Sequence, residues 1–306
     1  MVGALREEGK LRDLIAYSLA TIPFEDRAKR RPIFIMSESG SGSTWIAAML
    51  GHLPSHVYIH ELKIIREHGA IGRVFGELAG YDVAPGRLLY ALFESFQRAR
   101  LWTLRSHSEH LKTRPELLSR ENLGSFDPSR PRHAQNVDVI NSTGANIRIA
   151  PLLRRAYPNA ILCYLVRDPR DTIASARYRK PFGKSASIED WARAYVSRWE
   201  AYKRFKDGAR IDLLRYEAWL DDAETELRSF LARHALVTDE ETIAHAVFSH
   251  SASAIRAGKT KPKGNLGQAK AGKWRETLTE EDVRLIRPIL EPVTHELGYQ
   301  AQVPWS

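Results

Sequence analysis

Residues 32–50 read PIFIMSESGSGSTWIAAML, and this stretch decides the fold that we expect for the rest of the chain. The apolar run 33–36 is typical of a strand buried on both faces, and residues 45–50 indicate the start of a helix. A strand that turns through a glycine- and serine-rich loop into a helix points several backbone N–H groups, and the positive end of the helix dipole, at one spot. The loop therefore predicts a binding site for a phosphate or a sulfate group.

Two common nucleotide-binding loops fit this stretch poorly. The loop of P-loop ATPases ends in Gly-Lys-Ser/Thr, but here Gly42 is followed directly by Ser43. The dinucleotide-binding loop needs a third glycine where this chain has Trp45. An ordinary tight turn is the alternative interpretation, because glycine and serine are common in turns between a strand and a helix.

The composition is that of a soluble globular protein with an excess of positive charge. The chain has 306 residues, enough for one large α/β domain or two small ones. Its formal net charge of +9 favours anionic ligands without choosing among them. Cys163 is the only cysteine, so no disulfide can form within the chain. We expect a cytoplasmic protein without a membrane span, because the N-terminal residues are charged and amphipathic and no apolar run reaches membrane length.

Strands and helices alternate along the rest of the chain. Further strands are predicted at 57–59, 137–140, 160–166 and 211–214, and helices at 147–157, 172–178, 187–206, 222–234, 239–248 and 279–297. This alternation predicts an α/β fold of P-loop NTPase-like type, a doubly wound parallel sheet flanked by helices in a single domain.

The predicted domain occupies residues 31–306 and follows a helical lead-in, residues 1–30. Broken helical periodicity from 67 to 105 is followed by a polar stretch, 113–135, that has three prolines and four arginines. We expect residues 69–135 to form an insertion next to the site, on the side where a second substrate, the acceptor, would bind. Its polar part is either a lid or variable decoration.

A second candidate anion site follows the apolar run 160–166. Arg167 ends this predicted strand, and Ser175 lies eight positions further, two turns into the next helix. A guanidinium fork and a hydroxyl at this spacing can converge on one anion. The alternative is that Arg167 only forms an ion pair with Asp168 or Asp171 at the start of the helix.

Both candidate sites resemble segments of one family. Ser-Gly-Ser-Thr-Trp at 41–45 resembles the Ser-Gly-Thr-Thr-Trp signature of sulfotransferases that use the donor PAPS (3′-phosphoadenosine 5′-phosphosulfate). LVRDPRDTIAS at 165–175 is similar to the segment with which those enzymes bind the 3′-phosphate of PAPS. Later blocks also resemble the family, namely NAILCYLVRDPRD, DLLRYEAWLDD, NLGQAKAGKWRETLTEED and a Leu-Gly-Tyr ending at 297–299. The resemblance covers most of residues 32–299, in a register closest to tyrosylprotein-type and related bacterial and carbohydrate sulfotransferases.

The resemblance implies a donor site for PAPS and its product PAP (3′,5′-diphosphoadenosine). Loop amides and hydroxyls would bind the 5′-phosphosulfate, a tryptophan would stack on the adenine, and an arginine–serine pair would hold the 3′-phosphate. The alternative role for the tryptophan is packing in the core. The donor-binding residues are then Ser39, Gly40, Ser41, Gly42, Ser43, Thr44, Trp45, Arg167, Ser175, Tyr216, Lys259 and Lys273.

The resemblance also places Glu61 at the position of a catalytic glutamate. We expect Glu61 to act as the general base that takes the proton of the acceptor hydroxyl, with His60 as the competing candidate. The transfer should be an in-line displacement that depends on positioning and on positive charge, for which no metal is required. The sequence has no HExxH motif and no paired cysteines that would indicate zinc.

Two departures from the family pattern concern positive charge. Gly40 stands where the family has lysine or arginine, and Ser142 stands where its relatives have lysine. Lys63 is the first candidate to replace these cations, and Lys259 with its neighbours Lys261 and Lys263 is the second. If neither does, the protein is a slow enzyme or a PAPS binder that has lost catalysis.

Two other functions compete with sulfuryl transfer. A kinase-type phosphotransferase would need a P-loop lysine and an acidic magnesium ligand, and the loop lysine is missing. A nucleic-acid module would explain the basic clusters at 27–31 and 259–263, but no recognition motif accompanies them. We therefore expect a hydroxyl-bearing acceptor rather than nucleic acid; sugar, lipid, peptide tyrosine and natural-product hydroxyls all stay open.

Overall fold

The computed structural model describes residues 31–51, 56–62, 90, 137–178, 186–250, 271–299 and 305. The strands in this part of the chain are β1 (Ile33–Ser37), β2 (His56–Leu62), β3 (Val137–Thr143), β4 (Ile161–Val166) and β5 (Ile211–Arg215). The helices are α1 (Ser43–Gly51), α2 (Ala150–Ala156), α3 (Pro169–Tyr178), α4 (Ile188–Ala209), α5 (Tyr216–Asp221), α6 (Ala223–Arg233), α7 (Glu240–Ser249), α8 (Trp274–Thr277) and α9 (Glu280–Glu296), and a 3-10 helix covers Gly144–Ile149. The predicted lead-in helix, the predicted helices of 67–105 and the loop 113–135 lie outside the described residues, apart from Tyr90.

The five strands form one parallel sheet in the order β2-β3-β1-β4-β5. The central strand β1 has β3 on one side and β4 on the other, so the direction of winding reverses there. Ligands of open α/β sheets bind outside the carboxyl ends of the strands at such a reversal. The topology therefore places the loop after β1 at the expected binding edge, and it confirms the predicted doubly wound parallel sheet.

Each face of the sheet packs on its own layer of helices, because successive strand residues point to opposite sides. Phe34, Met36 and Tyr164 belong to one buried cluster, together with residues of α2, α4 and α9. Ile35 and Cys163 belong to a second buried cluster, together with residues of α1, α5, α6 and α7. Both faces of β1 and β4 are buried, as their uninterrupted apolar runs predict.

Two local predictions were wrong in their boundaries. Strand β2 continues to Leu62 and is irregular in its pairing with β3 after Ile59, so His60 and Glu61 lie inside the strand rather than after it. The predicted helix at 147–157 begins instead as the 3-10 helix and becomes α-helical at Ala150, next to Pro151. Pro151 fits the first helical turn, where its missing N–H removes no helical bond.

The short helix α5 was not predicted at all. It follows β5 without a loop and buries Tyr216 and Trp219, which are three residues apart and therefore share one helix face. These aromatic residues do not indicate a helix in the sequence, because aromatic residues at the end of an apolar run are also common in strands. Helix α5 brings Tyr216 to the carboxyl edge of the sheet.

Helix α4 is the long helix next to the binding edge. Ser187 and Asp190 form a reciprocal capping box at its start, which fixes where it begins. Tyr195, Trp199 and Tyr202 are buried, so the aromatic face of this helix packs in the core. The Tyr195 hydroxyl donates to the carbonyl of residue 167 at 2.8 Å, so α4 also fixes the end of β4. Among the described residues, no helix has the length and apolar character of a membrane span.

Candidate functional site

The loop between β1 and α1 is a tight turn that two glycines make possible. Gly40 has φ +96° and Gly42 has φ +87°, a backbone region that residues with a Cβ rarely adopt. The amide of Ser41 donates to the carbonyl of Glu38 at 3.1 Å, and the amide of Trp45 donates to the carbonyl of Gly42 at 3.0 Å. The Ser41 amide, one of the predicted anion donors, is thus already used inside the loop.

Arg167 links this loop to the end of β4. Its Nη1 donates to the carbonyl of Gly40 at 2.8 Å, and its Nη2 lies 3.9 Å from the Asp171 carboxylate. A Cβ on Gly40 would lie 3.1 Å from the Cβ of Ser175 and 2.8 Å from the carbonyl oxygen of Thr172. The structure therefore brings together the two segments that the sequence singles out.

The contacts of Arg167 agree only in part with the alternative interpretation, in which this residue forms a simple ion pair at the start of the helix. Asp168 pairs with Arg170 at 2.7 Å, so it is not the partner of Arg167. Asp171 faces Arg167 at the long distance of 3.9 Å. The short hydrogen bond of the guanidinium goes to the carbonyl of Gly40, so Arg167 joins the loop to the end of β4.

Tyr216 closes the site from the side of α5. The guanidinium carbon of Arg167 lies 4.6 Å from the centre of the Tyr216 ring, close enough for a cation–π contact. A Cβ on Gly42 would overlap the same ring. Glycine at position 42 is therefore required by the backbone conformation and also by the close approach of Tyr216.

Trp45 occupies a core position in α1. Its exposed fraction is 8%, its Nε1 donates to the carbonyl of His250 at 2.9 Å, and its ring meets Tyr216 edge-on with centres 6.0 Å apart. These contacts are those of a helix residue in the core, the alternative role considered above. Stacking of Trp45 on an adenine ring stays a prediction.

Asp171 ties a distant segment to the site. Its carboxylate accepts hydrogen bonds from the amides of Gly272 and Trp274, each at 2.8 Å. Burial raises the pKa of Asp171, and the nearby Arg167 acts in the opposite direction. Lys273 lies between the two donors and is thereby held next to α3. The sequence indicated Asp171 only as a candidate ion-pair partner of Arg167 at the start of the helix.

We expect Asp171→Asn to lower the free energy of unfolding by about 1–3 kcal/mol, because one amide loses its buried acceptor. Urea unfolding monitored by circular dichroism measures this change. Asp190→Asn is the matched control, since the Asp190 carboxylate also accepts from a backbone amide, that of Ser187, but at an exposed position. A smaller loss for Asp171→Asn than for Asp190→Asn would contradict the anchoring role.

Sequence reasoning missed the pair formed by Glu38 and Arg198. Glu38 is a buried residue of the loop, and its Oε2 forms an ion pair with Nη1 of Arg198 on α4. Burial raises the pKa of Glu38 to about 7, although Arg198 acts to lower it. The only signal in the sequence was an acidic residue among small ones, since its partner lies 160 positions away.

The other predicted site residues differ in how far the structure describes them. Ser39 and Thr44 are exposed, and Ser43 is buried at the start of α1. The backbone of β2 places residues 60 and 61 near the carboxyl end of the sheet, two strands from β1. Their side chains lie outside the described part of the structure. Lys63, Lys259 and the side chain of Ser142 also lie outside the described residues.

Several buried polar atoms at this edge are unsatisfied. The Oγ of Ser41, the Nε of Arg167 and the Oγ1 of Thr172 have no hydrogen-bond partner within the part of the chain that the structure describes. Buried polar groups are normally hydrogen-bonded, so this cluster beside Gly40 fits an anionic or polar ligand. The described residues contain no group of three side chains suited to hold a metal ion.

Comparison with known proteins shows the family to which the chain belongs. Residues 32–240 match the model of the sulfotransferase family, and the chain belongs to that family. No curated protein matches the sequence. The mouse sulfotransferase SULT7A1 complexed with PAP has a TM-score of 0.48 at 16% identity, over 92% of this chain and 88% of that chain.

Two bacterial structures show a similar level of likeness. The sulfotransferase domain of the Synechococcus PCC 7002 olefin synthase has a TM-score of 0.47 at 19% identity, over 85% of this chain and 95% of that chain. Sulfotransferase STF9 from Mycobacterium avium has a TM-score of 0.47 at 12% identity, over 95% of this chain and 81% of that chain.

Proposed function

We propose that this protein transfers a sulfuryl group from PAPS to a hydroxyl group of an acceptor. Family membership supports sulfuryl transfer, and the observation that carries the choice of donor is the contact of Arg167 with the carbonyl of Gly40. This contact brings an arginine fork, the hydroxyl-bearing Ser175 and a glycine-rich loop to one edge of the sheet. An arginine fork matches the geometry of a phosphate group.

The residues at this edge fit the two anionic ends of such a donor. The start of α1, with the hydroxyls of Ser43 and Thr44, would hold the 5′-phosphosulfate. Arg167 and Ser175 would hold the 3′-phosphate, for which the unsatisfied Nε of Arg167 provides a donor. Trp45, Tyr216 and Lys273 would complete the site.

When bound, PAPS would supply the sulfuryl group, and the remainder of the donor, PAP, would be the leaving group. The protein would contribute positioning and positive charge, as in phosphoryl transfer. Lys63 and Lys259 stay the candidates for the charge that Gly40 and Ser142 do not provide. The acceptor hydroxyl would lose its proton to Glu61, whose backbone position at the end of β2 lies at the same edge as the loop.

We expect Glu61→Gln to lower turnover by roughly 10²-fold or more, because the amide cannot take up the proton of the acceptor. Transfer of label from PAPS to a panel of phenols, sterols, sugars and tyrosine peptides identifies an acceptor and then measures this loss. Binding of PAP should be unchanged, since Glu61 is assigned to the acceptor side.

His60→Gln is the matched variant, because it removes the competing candidate base from the neighbouring position. Turnover of Glu61→Gln near that of the wild type, together with a large loss in His60→Gln, would exchange the two roles. Absence of transfer to every acceptor in the panel, together with no binding of PAP, would contradict the proposed function itself.

A further inference from the structure

The loop that would bind the donor carries one charged side chain, and this side chain is acidic. Residues 37–44 are serine, glycine and threonine apart from Glu38. The carbonyl of Glu38 accepts from the amide of Ser41 inside the turn, so the acid belongs to the turn itself. An anion bound at this loop would therefore lie close to a carboxylate, which is unfavourable if that carboxylate is ionised.

The surroundings of Glu38 set its charge. Its Oε2 is paired with Arg198, while its Oε1 has no hydrogen-bond partner among the described residues. The same Oε1 sits against Gly144, just after β3, in space that a Cβ at that position would fill. The titratable groups that interact with Glu38 from the packed elements of the described chain are Arg198, Tyr195 of α4 and Tyr164 of β4.

Arg198 combines contact with the loop and access to solvent. Its side chain is 27% exposed, compared with 10% for the side chain of Glu38. Within the described part of the chain its ionic partner is the carboxylate of Glu38, so protonation of Glu38 would leave the guanidinium beside the loop without a counter-charge from these residues.

We propose that Glu38 and Arg198 form a proton-linked pair at the donor loop: binding of the anionic donor is coupled to protonation of Glu38 from solvent, and Arg198 then provides positive charge to the bound anion. This inference rests on the proposed function, because it assumes that the loop binds the anionic end of PAPS or PAP. It assigns roles to two residues from different elements, one in the loop and one on α4.

The sign of the linkage follows from the charges. A bound anion raises the pKa of a neighbouring carboxyl group, so the complex binds a proton more tightly than the free protein does. Affinity for the anion is then highest at low pH and falls as the pH rises above about 7, the pKa of Glu38 in the free protein. If the pKa rises by one unit or more in the complex, the total loss of affinity reaches roughly tenfold or more.

The experiment is calorimetric titration with PAP at about pH 6 and about pH 8.5, on the wild type and on Glu38→Gln, which cannot ionise. The phosphates of PAP ionise with pH in the same way in both experiments. Only a difference in pH dependence between the two proteins therefore reports on Glu38. We expect the wild type to lose roughly tenfold more affinity than Glu38→Gln between these pH values. Near pH 7.5, wild-type titrations in buffers of different ionisation enthalpy should show net proton uptake beyond that of Glu38→Gln.

Arg198→Met provides an independent test and Arg193→Met is its matched control, since Arg193 lies on the same helix with a side chain that is 64% exposed. We expect Arg198→Met to weaken PAP binding roughly tenfold at about pH 6, and Arg193→Met to leave it unchanged. Equal pH dependence in the wild type and in Glu38→Gln, with no excess proton uptake, would overturn the inference alone. Failure of the wild type to bind PAP at any pH would overturn the proposed function and this inference with it.

Discussion

Replacing Arg167 by alanine is expected to reduce PAP affinity by roughly 10³-fold, the largest loss that we expect from the removal of a single side chain. Arg167 is buried, donates to the carbonyl of Gly40 at 2.8 Å and lies 4.6 Å from the centre of the Tyr216 ring. Its removal takes away both the proposed phosphate contact and the link between the loop and β4. Calorimetric titration with PAP measures the loss of affinity.

Arg167→Lys separates charge from geometry, because lysine keeps the positive charge but lacks the planar fork. We expect its affinity for PAP to lie between those of the alanine variant and the wild type. Thermal unfolding of both variants checks that the fold persists, since Asp171 loses its positively charged neighbour when the guanidinium is removed. Wild-type affinity in a folded Arg167→Ala protein would contradict the assignment of Arg167 to the donor site.

Gly42→Ala is expected to abolish measurable PAP binding and to lower the free energy of unfolding by about 2–3 kcal/mol. Alanine at φ +87° is strained, and its Cβ would overlap the ring of Tyr216. The loop or the tyrosine must therefore move, and either movement disturbs the contact of Tyr216 with Arg167. Urea unfolding and PAP titration measure the two effects.

Gly208→Ala is the control for this substitution. Gly208 lies in α4, and an added Cβ there would meet nothing within 4 Å. Alanine should stabilise the helix at that position by about 0.5–1 kcal/mol. A Gly42→Ala protein that unfolds and binds PAP like Gly208→Ala would show that the loop does not depend on glycine at position 42.

The parts of the fold that follow from local sequence were predictable. The apolar runs of β1 and β4 are buried on both faces, which their composition indicates without any partner being known. Arg167 and Ser175 are only eight residues apart, one at the end of a strand and one in the helix that follows. Their approach to each other therefore also depends on local geometry. The pair and the glycine loop lie close together because β1 and β4 are neighbours in the sheet. That they bind one donor stays a prediction.

The contacts that the sequence did not reveal join residues far apart in the chain. Glu38 meets Arg198 across 160 positions, and Asp171 meets Gly272 across 101 positions. Neither pair has a spacing or motif of its own, because each depends on how helices pack beside the carboxyl edge of the sheet. The roles of Glu61, Lys63 and Lys259 stay predictions, since their side chains lie outside the described part of the structure.

The most direct test of the account is a thermal shift measurement with PAP and with ATP, each in the presence and in the absence of magnesium. A loop without a P-loop lysine, joined to Arg167 through Gly40, should bind a nucleotide that carries a 3′-phosphate. We expect PAP to raise the melting temperature without magnesium and ATP to leave it unchanged. Stabilisation by ATP with magnesium, and none by PAP, would contradict the assignment of the site to a sulfuryl donor.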